Sequence, residues 1–397
     1  MNKKVAHCDL VSLCQKDRKI AYEKSNIGWA KKNGLDILVK KFILLVNSFG
    51  KKTTLNNTYI FVDEVKNTNM NNNLFQTREE FASHGENAYQ LCFYKWNPTN
   101  HIKIGTYITL ILIAKVILCS INVMFRLLLR RHDTEKYVIS QAIYLFRDYL
   151  NMITNDNVHY MMMTDYNLYS SIIAIDESEK STVIQHGLQM DDLLCYPIRA
   201  AHYFAWGIST KQIMNNDPKI LVTGTYKFND MEKRSCKGEI STILFCIGSL
   251  DYENVKLKIE NVIRMGKSKG YKCIIKCHPG SLYSSEYWKK LYQNEPVEIY
   301  KEELIQELDF DMAVTESSTA IMDFISLKKP FILYDKKESY FGKYDKVLPR
   351  CESYDELCNI MEQISGLNFE YINKYLIDHE LNSGKCTIYE TQRRLDN

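Results

Sequence analysis

No Cys-x-x-Cys pair occurs among the 12 cysteines of this 397-residue chain. Tetrahedral zinc needs ligands clustered on tight turns, so the sequence gives no zinc site. The nearest approach, Cys273 and Cys277, lies in or beside an apolar strand, where thiols behave as small buried hydrophobes. No secretory signal is legible in Met1–Arg18, and the thiols are read as reduced, in a cytoplasmic protein. Internal repeats and low-complexity segments are missing, which sets aside solenoids and linker-like chains. An excess of one charge is missing too. A formal net charge of +3 makes no case for nucleic acid as the main partner. The G-x-G-x-x-G spacing is also absent, which disfavours a Rossmann dehydrogenase.

What is present is a chain 45% hydrophobic, enough for a real core, at a length that suggests two domains. One long apolar run, Ile104–Phe125, is followed by Arg126, Arg130 and Arg131. It is long enough to cross a bilayer. Lys115 near its centre, with Ser120 and Asn122, argues against a simple span. A buried core helix is the first reading. The second is a helix over 104–131 lying on a membrane surface, its basic end against anionic lipid. A true span comes last.

In the first hundred residues Phe42–Val46 and Tyr59–Val62 read as short buried strands and Asn67–Asn73 as a polar loop. Further on, Tyr137–Leu150 and Tyr166–Ile175 have helical spacing. Val158–Met163, Thr182–Gln185, Tyr203–Trp206 and Ile220–Val222 read as strands. The charged segment Asn229–Glu239 reads as a linker. After it, five βα units follow one another: strands at Thr242–Ile247, Lys272–Lys276, Val297–Tyr300, Met312–Thr315 and Phe331–Tyr334. Helices fall at Asn254–Lys267, Ser284–Tyr292, Glu302–Leu308, Thr319–Ser326 and Tyr354–Ile364. The expectation is an α/β protein with an N-terminal domain over 1–228, a C-terminal domain over 240–366 and a helical tail over 367–397. In open parallel sheets ligands bind outside the carboxyl ends of the strands.

Four polar motifs fall at such ends. His278-Pro279-Gly280 follows a strand directly, so the imidazole sits at the sheet's rim as a donor to a phosphate oxygen; its plainer reading is a loop histidine. Glu316-Ser317-Ser318-Thr319 precedes a helix, where free N–H groups and hydroxyls make a phosphate cradle; its plainer reading is an N-cap. Gly248-Ser249 occupies the first βα turn of the C-terminal domain and lets a nucleotide or sugar come close. In the N-terminal half, Gln185-His186-Gly187 ends a strand, with Asp191 and Asp192 just after. A neutral His186 suits general-base work on an acceptor hydroxyl; a structural histidine is the alternative. Asp309-Phe310-Asp311 imitates a metal-holding Asp-x-Asp pair, but it precedes its strand and belongs to the amino end of the sheet. It is read as a solvated turn, and no metal is expected there.

Taken in order, the QHG turn, the HPG turn and the acid-Ser-Ser-Thr turn before Lys328-Lys329-Pro330-Phe331 resemble GT-B glycosyltransferases of bacterial surface polysaccharides. The match is to bacterial sialyltransferases and, secondarily, to CDP-glycerol glycerophosphotransferases. It covers roughly Val183–Asp335. It departs from the first group in lacking an acidic-acidic-Gly base motif, and from the second in lacking the tyrosine before the serines. The resemblance implies two Rossmann-like domains facing across a cleft, the second holding the donor nucleotide. It implies inverting transfer from CMP-sialic acid to a sugar hydroxyl in O-antigen, capsule or lipooligosaccharide synthesis, without cofactor or metal. Donor contacts would come from Gly248, Ser249, His278, Pro279, Glu316, Ser317, Ser318 and Thr319, and the base from His186 or Asp191. A lipid-linked oligosaccharide is the implied acceptor, reached from the inner face of the cytoplasmic membrane. A polyol-phosphate transferase and a non-catalytic scaffold of a polysaccharide-synthesis complex are the alternatives.

Overall fold

The computed structural model describes residues 42–53, 57–63, 68–93, 101–128, 134–153, 157–165, 168–187, 198–226, 240–247, 252–277, 285–300, 304–316, 318, 320–336, 341, 344 and 346–396. The chain divides into two compact units, one of residues 1–227 with 385–397 and one of residues 228–384.

In the first unit the strands are β1 (Thr58–Asp63), β2 (Asn87–Cys92), β3 (Val158–Met162), β4 (Ser181–Ile184), β5 (His202–Ala205) and β6 (Ile220–Val222). Between them run α1 (Thr68–Ser83), α2 (Thr106–Leu128), α3 (Thr134–Ile153), α4 (Leu168–Asp176) and α5 (Ile208–Ile213). All pair parallel in the order β2-β1-β3-β4-β5-β6. Parallel strands need crossovers that cover both faces, so the strands must be apolar on both. Ile60, Val62, Tyr160 and Met162 point into one core with Leu112 of α2 and Phe146 of α3. Their neighbours Tyr59, Phe61 and Met161 point into the other with Leu74 and Phe81 of α1.

The second unit contains β7 (Thr242–Cys246), α6 (Tyr252–Lys269), β8 (Lys272–Lys276), α7 (Ser285–Leu291), β9 (Val297–Tyr300), β10 (Met312–Thr315), α8 (Ala320–Ser326), β11 (Phe331–Tyr334), β12 (Arg350–Cys351), α9 (Tyr354–Gln363) and α10 (Phe369–Glu380). Its six strands are again all parallel, in the order β12-β11-β10-β7-β8-β9. Counted from β7 this is 3-2-1-4-5-6, the doubly wound order whose direction reverses between its first and fourth strands. The reversal falls between β7 and β10. Alternation again serves two faces: Ile243, Phe245, Cys273, Ile275, Met312 and Val314 share a core with Val255 and Ile259 of α6 and Trp288 of α7. Burial pushes the Cys273 thiol up to about 11, in keeping with a thiol used as a hydrophobe. The architecture is therefore α/β with two Rossmann-like sheets.

Several local expectations change. Residues 42–47 are helical rather than a strand; a five-residue apolar run has no periodicity to tell the two apart, and Leu44 and Leu45 are buried in either form. Within the stretch Asn67–Asn73, expected as a loop, residues 68–73 open helix α1 and Asn67 lies outside the described residues. Asn73 is buried, with Nδ2 donating to Gln185 O at 3.0 Å, so tertiary packing overrides a weak propensity. The helix expected at Glu302–Leu308 shrinks to one 3₁₀ turn, Ile305–Glu307. Strands β2 and β12 lie outside the sequence reading. The segment 367–397 is shared between units. Helix α10 stays with the second, while α11 (Ile388–Asp396) packs on α1 of the first. There Tyr389 meets Phe81 edge-on at 5.1 Å and stacks on His84 at 4.0 Å.

Helix α2 also differs from its first reading. Thr109, Leu112, Val116, Cys119 and Val123 form one buried stripe, and the opposite face is exposed. A run apolar all round offers more faces than one core can accept.

Candidate functional site

At the carboxyl edge of the first sheet, Gln185 follows β4 and is 1% exposed. Its side chain ties two turns together: Nε2 donates to Gly187 O at 2.7 Å, and Oε1 accepts from Trp206 N, just past β5, at 2.7 Å. Its carbonyl accepts from Asn73 Nδ2 at 3.0 Å, and Asn73 Oδ1 accepts from Thr225 Oγ1 at 2.9 Å. The turn that carries His186 is thereby held from three elements.

His186 itself is partly exposed. Its Nδ1 lies 2.9 Å from Met163 O, just past β3. A carbonyl only accepts, so Nδ1 carries the proton, and in the neutral ring Nε2 keeps a lone pair. Burial lowers the His186 pKa, against a smaller opposing effect of the Met163 carbonyl. The ring is thus neutral near pH 7, in the tautomer a base acting through Nε2 requires. Two residues beyond Met163, Asp165 is 4% exposed. Burial raises its pKa, while Arg199 works the other way. Arg199 N donates to its Oδ2 at 2.7 Å, so this carboxylate anchors a loop. Asp165 escaped the sequence reading, although the signal that selected His186, a polar residue just past a strand, applies to it equally.

At the carboxyl edge of the second sheet, Thr315, Cys246 and Lys276 stand in register on the adjacent strands β10, β7 and β8. Neighbouring strands are about 4.8 Å apart, so three chain exits lie along roughly 10 Å of one edge. Glu316 follows the first, Gly248-Ser249 the second and His278-Pro279 the third. This edge flanks the reversal between β7 and β10, where open sheets leave a crevice. Gly248, Ser249, His278, Pro279, Ser317, Thr319 and, in the first unit, Asp191 lie outside the described residues.

Two members of the set are described. Ser318 Oγ accepts from Ala320 N at 3.3 Å, a helix cap that uses a lone pair and not the hydroxyl proton. Glu316 is 4% exposed and accepts from Lys258 Nζ of α6 at 2.6 Å. The same ammonium is 4.0 Å from Asp335 Oδ1 and 5.4 Å from the Tyr334 ring centre. A bare carboxylate would repel a phosphate; Lys258 neutralises it and fixes its direction. Lys258 is a further residue the sequence reading missed. Its signal was positional, since with Val255, Ile259 and Val262 it sits on the buried face of α6. Among the described residues no group of three or more His, Cys, Asp or Glu side chains is arranged to hold a metal. Asp311, of the discounted Asp-x-Asp, is more than a solvated turn: its Oδ2 accepts from Ser241 N, Ser241 Oγ and Thr242 N, each at 2.8 Å. Burial would raise its pKa, but these donors outweigh it and hold the carboxyl low. It ties β7 to β10 at the amino edge, away from the candidate site.

No family model matches the chain, and no curated protein matches it in sequence. Solved structures do resemble it. UDP-GlcNAc 2-epimerase from Neisseria meningitidis bound to UDP-GlcNAc is 10% identical, with a TM-score of 0.54 over 86% of this chain and 100% of that one. The S. aureus MnaA–UDP co-structure is 10% identical, with a TM-score of 0.52 over 85% and 94%. At such identities the likeness is one of fold, and it places the chain among two-domain α/β proteins of GT-B type.

Proposed function

We propose that the chain is an inverting glycosyltransferase whose second unit takes a nucleotide-activated donor at its carboxyl edge. The observation that carries this is the alignment of the β7, β8 and β10 exits beside the reversal of strand order, each followed by a polar turn. The motif resemblance makes CMP-sialic acid the donor, with His278, Ser317 and Ser318 as donors to its phosphate. The acceptor is a sugar hydroxyl of a lipid-linked oligosaccharide in surface-polysaccharide synthesis. In the reaction the acceptor oxygen bonds to the anomeric carbon while that carbon's bond to the phosphate oxygen breaks. The electron pair leaves with CMP, and the hydroxyl proton goes to a general base, the role the motif resemblance gives to His186. Charge grows on the leaving phosphate, so preorganised donors there contribute most.

A second reading, a nucleotide-sugar 2-epimerase, is favoured by the likeness to the Neisseria epimerase. CMP-sialic acid, CDP-glycerol and UDP-GlcNAc, each supplied with and without membrane extract as acceptor, separate the readings. Transfer or CMP release from the first supports sialyl transfer. Use of the second alone moves the chain to polyol-phosphate transfer, and inversion at C2 of the third makes it an epimerase. A scaffold would show no rise in melting temperature with any of these donors, whereas a ligand at 100 times its Kd stabilises by about 2.7 kcal/mol. His186→Ala is expected to lower turnover by about 10²–10⁴ with nucleotide binding unchanged. The wild-type rate should fall at acid pH, with a midpoint below the ordinary histidine value of about 6.5. Weakened nucleotide binding in the variant would reassign the residue.

A further inference from the structure

Helix α2 runs 23 residues, about 34 Å at 1.5 Å per residue. Leu112, Val116, Cys119 and Val123 belong to the core beneath it, which pins the helix lengthwise against its own unit. Its polar side chains Lys115, Asn122 and Arg126 stay accessible to water but turn to one flank of the helix and not to its outermost face. Lys115 Nζ is 2.7 Å from Asp148 Oδ2 of α3, and Asn122 Nδ2 donates to Tyr137 OH at 2.7 Å. The Arg126 guanidinium lies 4.0 Å from the Tyr137 ring centre. At 100° per residue these three fall on the flank toward α3, leaving the face opposite the buried stripe to apolar groups alone. Tyr107, Leu110, Leu118, Ile121, Met124 and Phe125 on that face are 50–75% exposed. Surface helices of water-soluble proteins show the opposite pattern, with the polar face outward. Six large apolar side chains in one continuous strip are the kind of exposed patch that marks an interaction site on a folded protein.

We propose that this face is a docking surface for an anionic lipid bilayer, with α2 lying in the plane of the interface. Two features select lipid. The helix has no carboxylate, and its carboxyl end is basic: Arg126 is followed in sequence by Arg130 and Arg131, a charge pattern complementary to acidic headgroups. The aromatic rings Tyr107 and Phe125 bracket the strip, as amphipathic rings do at a headgroup boundary. The segment is long and apolar enough to cross a membrane, with 28% of its most apolar window buried. Its buried stripe is committed to the core, however, and a helix held along its whole length by a folded unit lies on a bilayer. This inference is independent of the proposed chemistry.

The test is flotation of the full-length protein with vesicles of phosphatidylglycerol and phosphatidylethanolamine, against vesicles of phosphatidylcholine. The wild type should float with the anionic vesicles at least tenfold more than with the neutral ones, and less so as salt rises. Leu118→Glu with Phe125→Glu should reduce flotation at least tenfold at an unchanged melting temperature. As a direct readout, Leu118→Trp should add emission that brominated anionic lipids quench. Absent flotation with a stable dimer in solution would assign the strip to a second copy. Absent flotation with a monomer would leave it to the chain's own residues 1–41. Either result overturns the proposal, as would unquenched emission from a vesicle-bound Leu118→Trp protein.

Discussion

Lys258 is held between two carboxylates, and its side chain is only 9% exposed. Buried ion pairs add little net stability when whole, but removing one partner leaves an uncompensated charge. Lys258→Met should therefore destabilise the second unit by about 3–5 kcal/mol, while Lys258→Met with Glu316→Gln should recover most of that. Urea unfolding of the two variants checks this, and a double variant no better than the single would remove the pair from the account. At this scale the sequence made His186 and Glu316 visible, because both follow apolar strands. It could not show that Glu316 is spoken for. The partner lies 58 residues away on a helix, and a lysine on a helix gives no sign in sequence of the carboxylate it will meet.

Among the elements, α11 is the one whose place the sequence left open. It closes the first unit from the far end of the chain through its buried Ile388 and Gln392, and Thr387 N donates to Thr223 O at 2.7 Å. The return path runs tight against Gly224, which has φ +75°; an added Cβ there would lie 1.9 Å from Lys385 O. Gly224→Ala should cost about 3 kcal/mol or more, from overpacking against backbone added to left-handed strain. Gly270→Ala, at φ +73° with nothing within 4 Å, carries only the strain, about 1–2 kcal/mol. The gap between the two melting temperatures measures the close approach, and equal shifts would dismiss it. Helical spacing predicted α3 and α6 because their apolar stripes repeat over many residues. It failed at 42–47, where the run is shorter than two turns, and at α1, whose first turn has Met70 as its single apolar residue.

For the molecule as a whole, two histidines, the buried His101 and the largely buried His159, tie stability to pH. Burial lowers His101 to about 4. His159, packed against Thr182, Gln392 and Asp396, is also lowered to about 4 by burial, with Asp396 opposing and His202 reinforcing. Both are neutral when folded and bind a proton below about 6.5 when unfolded. Their contribution is therefore complete above pH 6.5 and is lost as pH falls toward 4, on the order of 3 kcal/mol for a residue such as His101. Chemical denaturation from pH 7 to 4.5 should show this slope, and His159→Gln should flatten part of it; an identical slope in the variant would clear that residue.

By itself the sequence determined the secondary-structure class, the βα alternation of the second half and the polar turns that follow its strands. Those are local facts, written in periodicities of two and 3.6 residues and in the residues that end a strand. Strand order, the register that aligns Thr315, Cys246 and Lys276, the partner of Glu316 and the outward face of α2 were decided only in the tertiary structure. Each depends on which surfaces meet across long separations in the chain, and hydrophobic burial, being non-directional, leaves no mark of its partner in sequence.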